Sequence, residues 1–483
     1  MKKTANVVVI AAPTIGNLVP AVEFATQLTS TYSNLKSTVL IITMNRPLVD
    51  TFIHSRSTVN SGNVSFIHLP SIEPPSPDEY QTSVGFMSLL IENQKPHVKN
   101  ALVDLMQTQS DSTNSSIPLA GLFVDMFCTS MIDVANELGV KSYMYFASPA
   151  SFLGFMLHLP VLTQLGSELD DSKTRLRIPG FVKPVPVSVL PTFFLTRNQD
   201  DSCSWFSNNA KKYKEAKGIV VNTFQELESH ALDSLSAEFS DLPPVYPVGP
   251  VIDRRGPAGW EFNPAHEKVK MWLDEQPKAS VVFLCFGSMG SLKPAQVIEI
   301  AHGLEQSGQR FLWSLREPGK GKLELPGNYT NPETVLPEGF IERTAGIGLV
   351  CGWVPQVTVL GHIAVGGFVS HCGWNSILES LWHGVPIATW PIYAEQQLNA
   401  FEMVKELKLS VEIRLDYRGG ENELVCKEEV AKGVKSLMEL SDDAQELKER
   451  VKEISEVSKK AVMENGSSFV ALAQLVHQLL EDV

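Results

Sequence analysis

Residues 353–396, from Trp353 to Gln396, read WVPQVTVLGHIAVGGFVSHCGWNSILESLWHGVPIATWPIYAEQ, and this stretch decides the fold class. Its middle holds a short apolar run, Gly367-Phe368-Val369-Ser370, broken by His371-Cys372-Gly373. An amphipathic run follows, from Asn375 through Leu378, Leu381 and Trp382. That order predicts strand, tight turn and helix. Such a turn aims the unpaired N–H groups of Trp374, Asn375 and Ser376 at one point, and a helix N-terminus with free amides is a ready anion site. Glu379 falls one turn further along the same face, within reach of the vicinal hydroxyls of a ribose whose phosphates sit at the helix start. Glu395 and Gln396 follow a second apolar run, Pro386 to Trp390, and emerge where open α/β sheets bind ligands, at the carboxyl ends of strands. Acid and amide together suit the hydroxyls of a sugar.

Working outward, short β-branched runs alternate with helical patterns along the whole chain. The first half offers Val7–Ala12, Ser37–Thr43, Val64–Leu69, Gly121–Asp125 and Ser142–Phe146 as strands. The second half offers Val281–Phe286, Phe311–Leu315, Gly348–Gly352, Gly367–Ser370, Ile387–Trp390 and Val411–Ile413. This alternation predicts an α/β fold with parallel sheets wound on both faces. The halves meet at the extended, hinge-like stretch Pro243 to Pro250, with Arg254-Arg255-Gly256-Pro257 just after it. The expected division is a domain over 1–245, a linker over 246–258, a domain over 259–466 and a closing helix over about 467–483. A Gly-rich turn, Gly287-Ser288-Met289-Gly290-Ser291, ends the first strand of the second half and frees further amides for an anion.

Composition narrows the chemistry. With 483 residues, 43% hydrophobic and 19% charged, the chain is globular and too long for one core. Its net charge of −14, without a basic cluster, argues against nucleic acid, so any phosphate must be held by amides and dipoles. The six cysteines are scattered without metal spacing or a disulfide framework, which suits a reducing cytosol. Met1-Lys2-Lys3 before Val7–Ala12 imitates a leader, but the apolar run is strand-length and Pro13 and Gly16 follow. No window is long and apolar enough to span a bilayer. A cytoplasmic protein is therefore expected, with the sequons at Asn63, Asn114, Asn328 and Asn465 left unmodified.

The segment from Trp353 to Gln396 closely resembles the 44-residue signature of plant secondary-product glycosyltransferases, hexosyltransferases that move glucose from UDP-glucose to small lipophilic acceptors. The opening Trp, central HCGWNS, glutamate and closing Glu-Gln all stand in place. The resemblance implies a GT-B fold, two Rossmann-like domains facing across a cleft, with the acceptor in the first domain and UDP-sugar in the second. Carried over by residue, it implies that the Trp353 ring stacks on uracil while the Val354 backbone and Gln356 address the base edge. It assigns Ser288, His371, Trp374, Asn375 and Ser376 to the diphosphate, Glu379 to the ribose, and Glu395 with Gln396 to glucose. Taken singly, most of these have plainer readings: Trp353 as a core aromatic, His371 as a satisfied buried histidine, Ser376 as a helix cap. Their order and spacing make chance a poor explanation. On the acceptor side, Phe127, Phe146, Phe152 and Pro191 fall in segments that resemble pocket-lining ones and imply a phenol, flavonoid or terpenoid, although core packing suits such aromatics too. The resemblance implies a last helix that packs back on the first domain; no cofactor, no metal and a monomer are expected.

The chain departs from the family at one place. A transferase of this kind has a His after the first strand to take the acceptor's proton, oriented by an Asp from a later strand. Asp125 matches the partner position, but Asn17, in Pro13-Thr14-Ile15-Gly16-Asn17-Leu18, stands where the base belongs. An amide cannot take a proton near neutral pH, though it can bond to Asp125 and to an acceptor hydroxyl. Three readings stay open: an introduced near-isosteric swap that stalls turnover, which the intact donor motif favours; a natural enzyme whose acidic acceptors or another group manage the proton; or a catalytically silent UDP-sugar-binding protein. A UDP-sugar epimerase is the alternative enzyme class, for which an aromatic-rich acceptor lobe has no use.

Overall fold

The computed structural model describes residues 4–44, 47–59, 62–107, 117–165, 174–254, 256, 264–319, 325–420 and 423–481. The expected sequon Asn114, the leader-like residues 1–3, and Arg255 and Pro257 of the expected linker lie outside the described residues.

The first sheet is built from β1 (Ala5–Ile10), β2 (Leu35–Ile41), β3 (Val64–His68), β4 (Leu119–Asp125), β5 (Ser142–Phe146), β6 (Ile219–Val221) and β7 (Val245–Pro247). Their order is β3-β2-β1-β4-β5-β6-β7, all parallel, with Val8 opposite Thr38 on one side and Leu122 on the other. Both faces are covered. Val8 and Ile10 of β1 enter one apolar cluster, and the alternate residues Val7 and Val9 enter another. Every strand expected from the sequence forms within two residues of its expected ends. The Pro-rich stretch 243–250 departs from its hinge-like reading, because Val245–Pro247 pairs with β6 as the sheet's last strand. An edge is where a sheet tolerates proline, since one side of the strand needs no ladder bond.

The second sheet contains β8 (Val281–Cys285), β9 (Arg310–Ser314), β10 (Gly348–Cys351), β11 (Val365–Ser370), β12 (Ile387–Thr389) and β13 (Ser410–Glu412), in the order β10-β9-β8-β11-β12-β13. Phe283 of β8 lies opposite Leu312 and Phe368, and its ring stacks on that of Phe368 at 5.4 Å.

Five helices position the site: α1 (Ile15–Thr31), α2 (Ala150–Leu162), α3 (Trp374–His383), α4 (Gln396–Phe401) and α5 (Ser467–Leu480). The last of them returns to the first sheet, where Leu475 and Leu479 join Val7 and Val9 in one buried cluster. Tyr246 Oη donates to Gln478 Oε1 at 2.7 Å and fixes that return. In both sheets the winding direction reverses beside the first strand, between β1 and β4 and between β8 and β11. Crevices open at the carboxyl ends of strands at such points. The two crevices face one another.

Candidate functional site

One cavity of about 480 Å³ fills the space between the crevices, within the range of small-molecule sites. Thr14 to Asn17 line it after β1, Met126 and Phe127 after β4, Gly287 to Met289 after β8, and His371 with Gly373 to Ser376 after β11. Three hydrogen bonds bridge the lobes at its walls. Trp374 Nε1 donates to the Asn222 carbonyl at 2.6 Å, Asn375 Nδ2 to the Gly16 carbonyl at 3.1 Å, and Ser148 Oγ to Glu395 Oε1 at 3.1 Å.

The turn after β11 is tight because Cys372 takes a left-handed conformation, φ 62°, which a side chain rarely adopts. Local bonds hold it there: the Cys372 amide donates to Ser370 Oγ at 3.1 Å, and Asn399 Nδ2 donates to the Cys372 carbonyl at 3.0 Å. Gly373 caps α3, whose first internal bond runs from Ile377 N to the Gly373 carbonyl. The amides of Trp374, Asn375 and Ser376 precede that bond and have no partner among the described residues, which leaves them for a ligand. The Trp374 indole is committed to Asn222, so of this residue only the backbone is available to a phosphate.

His371 is 6% exposed, and its Nδ1 has no partner among the described residues. Burial pulls its pKa down to about 4, so the ring is neutral at physiological pH. Glycines on two sides make room for it. A Cβ at Gly287 or at Gly373 would stand 2.5 or 2.6 Å from its Nε2. An orphaned buried nitrogen beside free amides is an arrangement completed by an anionic ligand. Among the described residues the lining contains no Lys or Arg, so phosphate charge would meet amides and the α3 dipole.

Further along α3, Gln356 Nε2 donates both to Ser376 Oγ at 2.8 Å and to Glu379 Oε2 at 2.7 Å. Burial raises the Glu379 pKa to about 7; the bond from Gln356 opposes the rise, and the nearby Asp253 carboxylate adds to it. Gln396 Oε1 accepts the amides of Ile392 and Tyr393 at 2.9 and 3.0 Å, which fixes the side chain beside Glu395. Trp353 and Val354 also line the cavity, and the Trp353 amide is held by Asn328 Oδ1 at 2.9 Å. The structure thus gathers Ser288, Trp353, Val354, Gln356, His371, Trp374, Asn375, Ser376, Glu379, Glu395 and Gln396 around one space.

The other end of the cavity is apolar, with Phe127, Phe152, Phe193 and Phe206 in its wall and the last two rings stacked at 3.9 Å. Phe146 and Pro191 are not in that wall. Phe146 is fully buried beneath it, packed on Phe152 and Tyr213, because the last residue of β5 points into the core. Pro191 caps the short helix Thr192–Leu195 and is buried there. The pair expected of Asn17 and Asp125 is not made either. Asp125 is 2% exposed and accepts the amides of Ala12, Phe127 and Cys128 at 2.7, 2.9 and 2.8 Å. Burial raises its pKa and these bonds pull the other way. Its carboxylate ties the loops after β1 and β4 together and lies outside the cavity lining. Asn17 does line the cavity, and its partner is Thr14, whose Oγ1 donates to Asn17 Oδ1 at 2.6 Å.

Thr14 and Asp253 are site residues that the sequence did not single out. A threonine three residues before Asn17 and just ahead of a helix carried a usable signal, as capping residues sit there. Asp253 carried none; it reaches the cavity because the fully buried Arg56 pairs with both it and Glu23. Among the described residues no cluster of three or more His, Cys, Asp or Glu is arranged to hold a metal ion.

Comparison with known proteins identifies the family. The family model for UDP-glucoronosyl and UDP-glucosyl transferase matches residues 202–464. UDP-glycosyltransferase 43 of Pueraria montana var. lobata is 53% identical over 476 residues, 98% of this chain and 99% of its own. The chain belongs to the UDP-glycosyltransferase family. A UDP-glucose flavonoid 3-O-glucosyltransferase of Fragaria ananassa is 46% identical over 99% of both chains. A UDP-glycosyltransferase-family structure from Medicago truncatula, solved with UDP-glucose, superposes with a TM-score of 0.88 at 40% identity, covering 99% of this chain and 98% of that one. The two facing doubly wound lobes are accordingly the GT-B fold.

Proposed function

We propose that this protein transfers glucose from UDP-glucose to a hydroxyl of a small lipophilic acceptor, with inversion at the anomeric carbon. One observation carries the reading: a single cavity joins an amide-lined end at the start of α3, without Lys or Arg among the described residues, to an aromatic end under α1 and α2. In it the uracil lies against Trp353 and Gln356, the diphosphate against Ser288, His371 and the amides of Trp374, Asn375 and Ser376, and the ribose against Glu379. Glu395 and Gln396 bond the glucose hydroxyls, and Gln396 favours glucose over galactose. The acceptor lies among Phe127, Phe152, Phe193 and Phe206, which suits a phenol, flavonoid or terpenoid, and the Fragaria relative is named for a flavonoid. The reading uses no metal or cofactor, since amides and the helix dipole take the phosphate charge. A monomer acting in the cytosol completes it; six free cysteines suit a reducing compartment, and among the described residues no helix is long and apolar enough to cross a membrane.

Asn17 favours a second reading, a protein that binds UDP-sugar without transferring it. Product analysis with UDP-glucose and a panel of phenols and terpenoid alcohols separates the possibilities. A glucoside with matching release of UDP supports the transferase. A new UDP-sugar would mean an epimerase, and tight UDP binding without product would mean a binder.

A further inference from the structure

The side chain at the base position presents a donor, not an acceptor, to the cavity. Thr14 Oγ1 holds Asn17 Oδ1 at 2.6 Å, and this fixes which face of the amide looks inward. The Asn17 NH₂ group then has no partner among the described residues and lies in the cavity wall. It stands in the first turn of the 17-residue helix α1, where the helix dipole also favours negative charge.

Among the described residues, no other group in the wall is placed to take a proton from an acceptor at the aromatic end. Asp253 is paired with Arg56, and its Oδ1 also accepts the Gly256 amide at 3.0 Å. Glu379 is bonded to Gln356 at the ribose end. His371 lies between Gly287 and Gly373 beside the amides of α3. Cys285 and Tyr393 are weak acids, pushed up by burial to about 11 and about 12. Glu395 is the nearest competitor; it accepts from Ser148 at 3.1 Å beside the glucose-binding amide of Gln396.

We propose that Asn17 stabilises the acceptor as an oxyanion instead of deprotonating it, so that the acceptors this chain uses are phenols acidic enough to ionise by themselves. The inference rests on the transferase reading and names the substrate class of that same site. The phenol gives its proton to solvent, and its oxygen lone pair forms the bond to the anomeric carbon. The bond from that carbon to the β-phosphate oxygen breaks, and its electron pair leaves on UDP. Negative charge passes from acceptor to leaving group, and no proton crosses the protein. The aromatic wall suits such a substrate, since a phenolate spreads its charge over a ring that packs on Phe193 and Phe206.

The test measures kcat/KM against pH for phenols of graded acidity at saturating UDP-glucose. It uses the full chain and its Asn17→His, Asn17→Ala and Glu395→Gln forms. For the unchanged protein the inflection should follow each phenol's own pKa. Asn17→Ala should lower kcat/KM by about 10–100-fold, the worth of a hydrogen bond to a charged group, and leave the inflections where they are. Asn17→His should replace them with one inflection near an imidazole's about 6.5, whichever phenol is used. One inflection shared by all phenols in the unchanged protein would overturn the inference, and its loss in Glu395→Gln would assign the proton to that carboxyl. Asn17→Ala as active as the parent would overturn it too. If UDP-glucose binds and no phenol is glucosylated at any pH, the transferase reading fails and takes this inference with it.

Discussion

After β11 the chain turns through Cys372 into α3, and after β1 it turns through Thr14 into α1, so the same strand-turn-helix unit faces itself across the cleft. The two units are finished differently. In the α3 unit a buried histidine nitrogen and three amides lack partners among the described residues, and glycines at 287 and 373 hold the space open. In the α1 unit Asp125 is saturated by three backbone amides and Thr14 closes on Asn17. Groups left unsatisfied inside a folded protein mark where a ligand completes the structure. The α3 unit is preorganised for an anion in that sense. In the α1 unit the side chains close on one another, and what it offers the cavity is the Asn17 NH₂ group beside the first amides of α1, at Ile15 and Gly16.

The largest way to sharpen the comparison is to give the α1 unit a base. Asn17→His should raise turnover on weakly acidic alcohol acceptors by roughly 10²–10⁴-fold, the usual worth of general base catalysis, with a smaller gain for acidic phenols. Initial rates of glucoside formation check this. A uniform gain across acceptors would mean that ionisation of the acceptor is not what limits the unchanged protein.

The α3 unit can be broken at Glu379. Glu379→Ala removes the acceptor for a buried ribose hydroxyl and should weaken UDP by on the order of 1–3 kcal/mol, read by calorimetry. An unchanged dissociation constant would take Glu379 out of the ribose site. The same carboxyl sets a pH dependence. Its pKa is raised to about 7 in the ligand-free protein, and ribose hydroxyls bond best to the ionised form, so UDP-glucose affinity should fall as pH drops below about 7. The limit is about tenfold per pH unit, and Glu379→Gln should flatten the profile. Smallest is Gln396→Ala, which should weaken UDP-glucose by about 0.5–1.5 kcal/mol and leave UDP nearly unaffected. Equal losses for both ligands in competition titrations would remove Gln396 from the sugar site.

The two units also differed in how far the sequence exposed them. The donor residues from Trp353 to Gln396 sit in one segment whose turn and helix are local, so their spacing carried their geometry. The acceptor wall is assembled from loops far apart in the chain, and an aromatic at the end of a strand is as readily core as lining. Phe127 and Phe152 reached the cavity, while Phe146 went under it. The edge strand Val245–Pro247 was hidden by its prolines, which punctuate loops and sheet edges alike. Asp253 was illegible because its place depends on Arg56, nearly two hundred residues earlier and buried for reasons of tertiary packing. The Asn17–Asp125 pair was expected from the family's acid and base, but the Asp125 backbone bonds decide its orientation and those cannot be read from spacing.

The most direct test of the separation between the two units is to measure the UDP-glucose dissociation constant and the turnover of an alcohol acceptor side by side, in the unchanged protein and in Asn17→His. The account predicts dissociation constants that agree within about twofold while turnover rises by at least about 10²-fold. A rise in turnover matched by an equal tightening of UDP-glucose, or no rise at all, would contradict it.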